Sequence, residues 1–193
     1  MIQVIKSRYF TWALLALPSV MMLVRYLNGS GSVHRLLHPS GEFAARAMIL
    51  AMMLTPLFVL FPKVKIIQSL IRRRRYIGVA AFGYAALHTA FYLIDKGSFA
   101  KVTEEFLALS IWTGWLAFLI FVPLAATSNE WAVRKLGTNW KKLQRWVYAA
   151  AILTAAHWLF LEYHFVPVLV HFLPLAVLQF LRVRKNSKRL AAT

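Results

Sequence analysis

Two histidines, His88 and His157, sit deep inside long apolar stretches of the chain. An ionisable side chain in such a stretch is costly to keep there and is a functional candidate by default. His88 follows Gly83-Tyr84-Ala85-Ala86-Leu87, twelve residues beyond Tyr76; His157 follows Ala155-Ala156, eleven residues beyond Trp146. If Tyr76 and Trp146 open two helices running the same way, the histidines lie about 18 Å and about 16 Å along them. Two imidazoles at one level on parallel spans can grip an iron porphyrin from opposite faces, the ligation of a low-spin b-type haem. Ala85, Ala86, Ala155 and Ala156 leave space beside the backbone for a flat macrocycle. On spacing alone a plainer reading stays open, in which each histidine only hydrogen-bonds a neighbouring helix. The chain has no cysteine, which excludes disulfides, thiolate metal sites, iron–sulfur clusters and c-type haem attachment.

Arg74 lies fourteen residues before His88, nearly four helical turns, and therefore on the same helix face. Gln144 lies thirteen residues before His157 at the matching level, so a second cofactor level is conceivable, although its ligands would not be histidines. Arg74 belongs to the run Arg72–Arg75, which also reads as an anchor against anionic membrane lipid. As a binding element, Arg74 or Arg75 suits a propionate or a quinone oxygen, because the planar guanidinium fork matches carboxylate-like groups. His34 and His38 fall in the first polar loop, where His38, with Ser40 and Glu42, is either a haem-edge or docking residue or an ordinary interfacial one. His164 is predicted at the end of the fifth span, two turns beyond His157, and His171 in the sixth.

The elements that must position these residues are membrane spans. The chain of 193 residues is 60% hydrophobic and only 15% charged, against about 45–50% and about 25% for soluble domains. A bilayer core about 30 Å thick needs roughly 20 apolar helical residues. Six windows approach that length: 10–27, 43–61, 76–94, 106–127, 146–163 and 165–181. The first also fits a signal peptide, with Lys6 and Arg8 ahead of it, but no good A-x-A site follows and it is read as an uncleaved span. The expected fold is an all-α, six-helix transmembrane bundle, one domain over 1–193, with both termini cytoplasmic. Net charge supports that topology. Of the formal +17, all falls on one side: eighteen basic residues and Glu130 lie on the expected cytoplasmic segments, five basic and five acidic residues on the others. This is the positive-inside pattern, and it argues against nucleic acid as the partner of the basic residues. Asn28-Gly29-Ser30-Gly31-Ser32 reads as a turn, no internal repeat is evident, and a nicotinamide or flavin module would be a separate protein.

Four segments in order carry a resemblance: His38-Pro39-Ser40-Gly41; Arg74-Arg75-Tyr76-Ile77-Gly78; Ala86-Leu87-His88; and Leu136-Gly137-x-x-Trp140-x-x-Leu143-Gln144-x-x-Val147-Tyr148, followed by His157. From about His38 to Tyr163 the chain resembles the MsrQ (YedZ) family, haem-binding membrane subunits of bacterial protein-methionine-sulfoxide reductase systems within the ferric-reductase-like transmembrane superfamily. The resemblance implies an inner-membrane electron carrier. It would take electrons from the quinone pool or a cytoplasmic flavin reductase and pass them through haem b to a periplasmic MsrP-like molybdoprotein. It also implies His88 and His157 as the outer haem ligands, and Arg74 where related four-histidine reductases carry an inner ligand. Gln144 replaces a family histidine, so the resemblance implies one haem, with a second in doubt, and quinone or FMN as further cofactor candidates. Two rival readings are a ferric or quinone reductase-like haem protein with another acceptor, and a cofactor-free transporter or scaffold. Transporters typically show interrupted helices in matching halves, and none is evident here.

Overall fold

A computed structural model describes residues 7–162 and 165–190, and these are mostly helical, with no strand among them. His164 and Lys6 lie outside the described residues. In chain order the helices are α1 (Arg8–Leu27), α2 (Val33–Leu60), α3 (Lys65–Lys96), α4 (Phe99–Glu105), α5 (Leu109–Ala126), α6 (Glu130–Leu136), α7 (Thr138–Gln144), α8 (Val147–Glu162) and α9 (Phe165–Leu190). Five of them, α1, α2, α3, α5 and α9, are long and apolar enough to cross a membrane. α8 has 16 residues, about 24 Å, and covers the fifth expected span over its described part. The protein is an all-α, multi-pass membrane protein.

Several boundaries differ from the sequence expectation. The 28-residue α2 begins ten residues before the second window, so His34, His38, Ser40 and Glu42 are helical rather than in a loop. Pro39 falls in the second turn of α2, and Ser32 caps the helix start by accepting from Arg35 N at 3.4 Å. The 32-residue α3 begins at Lys65, so Arg72–Arg75 are helical too, and Gly97 closes it with φ +63°. The expected loop 128–145 holds the short helices α6 and α7, separated by Gly137 at φ +51°.

The bundle is built around α2, the most buried of the apolar helices. α2 and α3 form an antiparallel hairpin, with His34 Nδ1 3.2 Å from Asp95 Oδ2 at one end and Arg74 Nε donating to Ala51 O toward the other. α9 runs parallel to α2, joined by Arg46–His171, Gln179–Met52 and Lys185–Val59 contacts. One of these answers a defect: Pro56 cannot donate to Met52 O, and Gln179 Nε2 takes that carbonyl at 3.2 Å. Lipid-facing positions such as Ile152 and Phe180 are apolar and exposed, so helix association rests on close packing rather than on hiding apolar surface from water. Small residues supply that packing: Ala81, Ala150 and Ala151 are buried among Met48, Met52, Phe121 and Leu124 where α2, α3, α5 and α8 meet.

Candidate functional site

α3 and α8 deliver His88 and His157 to one place, with ring centres 6.2 Å apart and planes at 81°. Each ring is tied by Nδ1 to a backbone carbonyl of a neighbouring helix. His88 Nδ1 donates to Leu37 O of α2 at 3.0 Å, and His157 Nδ1 donates to Ser110 O of α5. A carbonyl can only accept, so both rings carry a proton on Nδ1, and in the neutral ring this leaves the Nε2 lone pair free, the form that binds a metal. Tying the second ring nitrogen to a backbone carbonyl is also how metal-binding histidines are usually oriented.

Close approach to a helix backbone requires a missing side chain. A Cβ on Gly41 would lie 3.1 Å from the His88 ring, and one on Gly114 would lie 2.7 Å from the His157 ring. Beside each glycine stands a buried hydroxyl. Ser40 Oγ donates to Leu37 O at 2.8 Å; Thr113 Oγ1 lies 2.6 Å from Leu109 O and 3.0 Å from Ser110 O. Leu37/Ser110, Ser40/Thr113, Gly41/Gly114 and Ala44/Ala117 are each 73 residues apart. On the partner helices, Ala81/Ala150, Ala85/Thr154, His88/His157 and Thr89/Trp158 are each 69 apart. The α2–α3 hairpin and the α5–α8 pair are thus two copies of one arrangement, an internal duplication that was not evident in the sequence.

Between the copies lies a cavity of about 710 Å³, bordered by both histidines and by Trp115 and Phe118. This falls in the range of about 300–1,000 Å³ typical of small-molecule and cofactor sites. Its small walls come mainly from the facing helices, through Gly41, Ala44, Ala45, Gly114 and Ala117. Of the four alanines expected to make room, only Ala85 lines it. An imidazole nitrogen binds a first-row metal at about 2.0–2.1 Å, and the ring centre lies ~1.1 Å behind it, so opposed ligands have centres about 6.2–6.4 Å apart. The observed separation fits one metal centre between the rings.

The other expected site residues separate into two levels. His38 and His34 line the mouth of the cavity with Glu42, Asp95, Lys96 and Glu105. There Lys96 Nζ pairs with Glu105 Oε1 at 2.5 Å, and Tyr92 donates to Glu105. His171 lies behind the cavity wall, its Nδ1 on Pro167 O at 2.7 Å and its ring 5.0 Å from Trp158; Arg46 Nε donates to its Nε2. Arg74 and Gln144 lie toward the opposite end. Arg74 Nε donates to Ala51 O at 3.0 Å, and Gln144 Nε2 donates to Leu124 O at 3.0 Å and to Thr127 Oγ1 at 3.1 Å. Ala51 and Leu124 are again 73 residues apart, so the duplication extends to this level. Ser40 was read only as a companion of His38, and Thr113 and Gly114 carry no functional reading in the sequence; the usable signal was a Ser/Thr-Gly pair inside an apolar helix, where glycine is unfavourable unless something must come close.

Residues 40–155 match the family model for ferric reductase like transmembrane components. The chain is 37% identical, over 142 residues, to the protein-methionine-sulfoxide reductase heme-binding subunit MsrQ of Brucella anthropi, covering 69% of this chain and 62% of that relative. It is 36% identical over 134 residues to the same subunit of Brucella ovis, covering 68% of this chain and 59% of that relative. The chain therefore spans about 60% of the length of these curated relatives. No solved structure matches it.

Proposed function

Because the chain belongs to the ferric reductase like transmembrane family, we propose that it is a b-type haem electron carrier of the bacterial inner membrane, serving a periplasmic methionine sulfoxide reductase. The observation that carries this reading is the pair of imidazoles at metal-bridging separation, both fixed in the metal-binding tautomer on the border of the cavity. His88 and His157 would hold the group, which when bound supplies one-electron chemistry by cycling iron between ferric and ferrous states. The surrounding residues do the rest. Leu37 O and Ser110 O fix the rings, Gly41 and Gly114 admit them, and Trp115 and Phe118 close the wall.

One haem is the count that the donor chemistry favours. A guanidinium has no lone pair to offer a metal, and Gln144, held by its N–H groups on Leu124 O and Thr127 Oγ1, has only an amide oxygen where an imidazole would be needed. Arg74 and Gln144 then serve as helix braces at the second level, with Arg74 also available to a quinone oxygen. The likeness to MsrQ heme-binding subunits supports a protein-methionine-sulfoxide reductase as the system served, and the motif resemblance implies the quinone pool or a cytoplasmic flavin reductase as donor and an MsrP-like molybdoprotein as acceptor. The charge distribution favours a cytoplasmic basic end, which sets the histidine level toward the periplasm, nearest that acceptor.

Dithionite reduction of the purified protein tests the proposal. The expected result is a sharp low-spin b-type spectrum at about one haem per chain, lost in both His88→Ala and His157→Ala. A colourless protein after expression with ample haem would defeat it, as would an intact low-spin spectrum in either variant.

A further inference from the structure

The two carbonyls that receive the histidine N–H groups are not ordinary helix carbonyls. Ser110 O stands where it accepts the ladder bond from Gly114 N–H within α5, and it lies 3.0 Å from the Thr113 hydroxyl, whose single proton is divided between Ser110 O and Leu109 O at 2.6 Å. His157 Nδ1–H is then a third donor on one oxygen. Leu37 O is in the same position on α2, with Ser40 Oγ at 2.8 Å and His88 Nδ1 at 3.0 Å. Ser40 and Thr113 are both buried, 0% and 4% exposed. Their common feature is the shared oxygen.

We propose that Ser40 and Thr113 are positioning residues that set the electron donation of His88 and His157 to the iron by sharing the carbonyl each imidazole uses. This rests on the haem reading above and deepens it. Each donor on an oxygen draws electron density that the others would use, so the hydroxyl weakens the Nδ1–H···O=C bond. A weaker bond leaves the imidazole less basic, and a less basic ligand favours the ferrous iron. Removing the Thr113 hydroxyl frees Ser110 O for His157, makes that ligand more basic and moves the equilibrium toward ferric iron. Ser40 acts on both partners, because its Oγ also lies 3.3 Å from His88 Nδ1 and can accept from it. Its removal therefore changes the ligand field of His88 as well as its hydrogen bond.

The test uses the full haem-loaded chain and four variants. Thr113→Val keeps the shape and removes the hydroxyl, and Thr113→Ser keeps the hydroxyl; Ser40→Ala and Ser40→Thr are the equivalent pair on α2. Readouts are the reduction potential by spectroelectrochemical titration and the ferric low-spin g values by electron paramagnetic resonance. Thr113→Val lowers the potential, Thr113→Val and Ser40→Ala both shift the g values, and the hydroxyl-keeping variants stay at wild-type positions. Loss of haem from Thr113→Val but not from Thr113→Ser supports the same conclusion. Wild-type potential and g values in the hydroxyl-free variants overturn it, as does an equal change, or equal haem loss, in the hydroxyl-keeping ones. A wild-type chain that binds no haem defeats instead the functional reading on which this inference stands.

Discussion

Gly114→Ala sets two physical effects against each other. Alanine is favoured over glycine inside a helix by about 0.8–1.0 kcal/mol, so on propensity alone the substitution stabilises α5. The added Cβ, however, would stand 2.7 Å from the His157 ring, whereas ordinary contact begins at 3.4 Å. The ring or the helix must therefore give way by about 0.7 Å, and overpacking of this kind costs about 1–3 kcal/mol. Displacing a metal ligand from its supporting partner typically weakens binding about 10–100-fold, or about 1.4–2.8 kcal/mol. The contact outweighs the propensity. Haem retention, measured as the rate of transfer to apomyoglobin together with haem content per chain, falls about 10–100-fold in Gly114→Ala. Gly41→Ala, whose Cβ would be 3.1 Å from His88, needs only about 0.3 Å of adjustment and loses less. Gly78→Ala, with nothing within 4 Å, keeps wild-type retention and gains helix stability. Retention in Gly114→Ala equal to wild type, or a larger loss in Gly41→Ala, would refute the seat geometry.

Arg74→Ala leaves haem content at one per chain by pyridine haemochrome assay, because Arg74 bonds Ala51 O at the far level; a halving would show that a second haem had depended on it. Gln144→Ala frees the end of α7 from α5, so trypsin cuts faster after Lys141 and Lys142 while the haem spectrum stays unchanged. Tyr84→Phe removes a 2.7 Å bond to Leu15 O and loosens α1, lowering thermal stability by about 1 kcal/mol with no loss of haem; unchanged stability would deny the tether. Since the chain has no native cysteine, Ser98→Cys and Asn129→Cys give clean labelling sites at opposite ends of the bundle. Impermeant maleimide on intact spheroplasts labels Ser98→Cys and spares Asn129→Cys, and the reverse pattern would invert the topology.

The spans were legible because a bilayer imposes one length on every crossing, and the windows 10–27 and 165–181 fall within observed helices. The histidine pair was legible because imidazole is rare and costly in such windows. The start of α2 was not, since His38-Pro39-Ser40-Gly41 has turn composition, while in the fold it is helical with a local bond from Ser40 to Leu37 O and a tertiary contact from His88 to the same carbonyl. The duplication was hidden for a different reason. Its working parts are two backbone carbonyls, which have no letter in a sequence, and small residues whose role is to leave room. Only a few letters coincide between the copies, Gly41/Gly114, Ala44/Ala117, Ala81/Ala150 and His88/His157 among them. Arg74 and Gln144 were matched by level, but the sequence could not show that each braces a carbonyl of another helix.

On the proposed haem reading, each of the two helix pairs supplies half of the binding site. One pair offers a single imidazole, one seat and one wall, and can complete the coordination of a metal only by meeting a second copy, as the halves of a symmetric dimer do. Joining both halves in one chain changes the order of the reaction. Capture no longer depends on how many protein molecules share the membrane, because each half faces the other at an effective concentration of about millimolar or above. A sparse protein can thereby assemble its site as completely as an abundant one. The two halves are also free to differ, and they do so in their hydroxyls, serine on one side and threonine on the other.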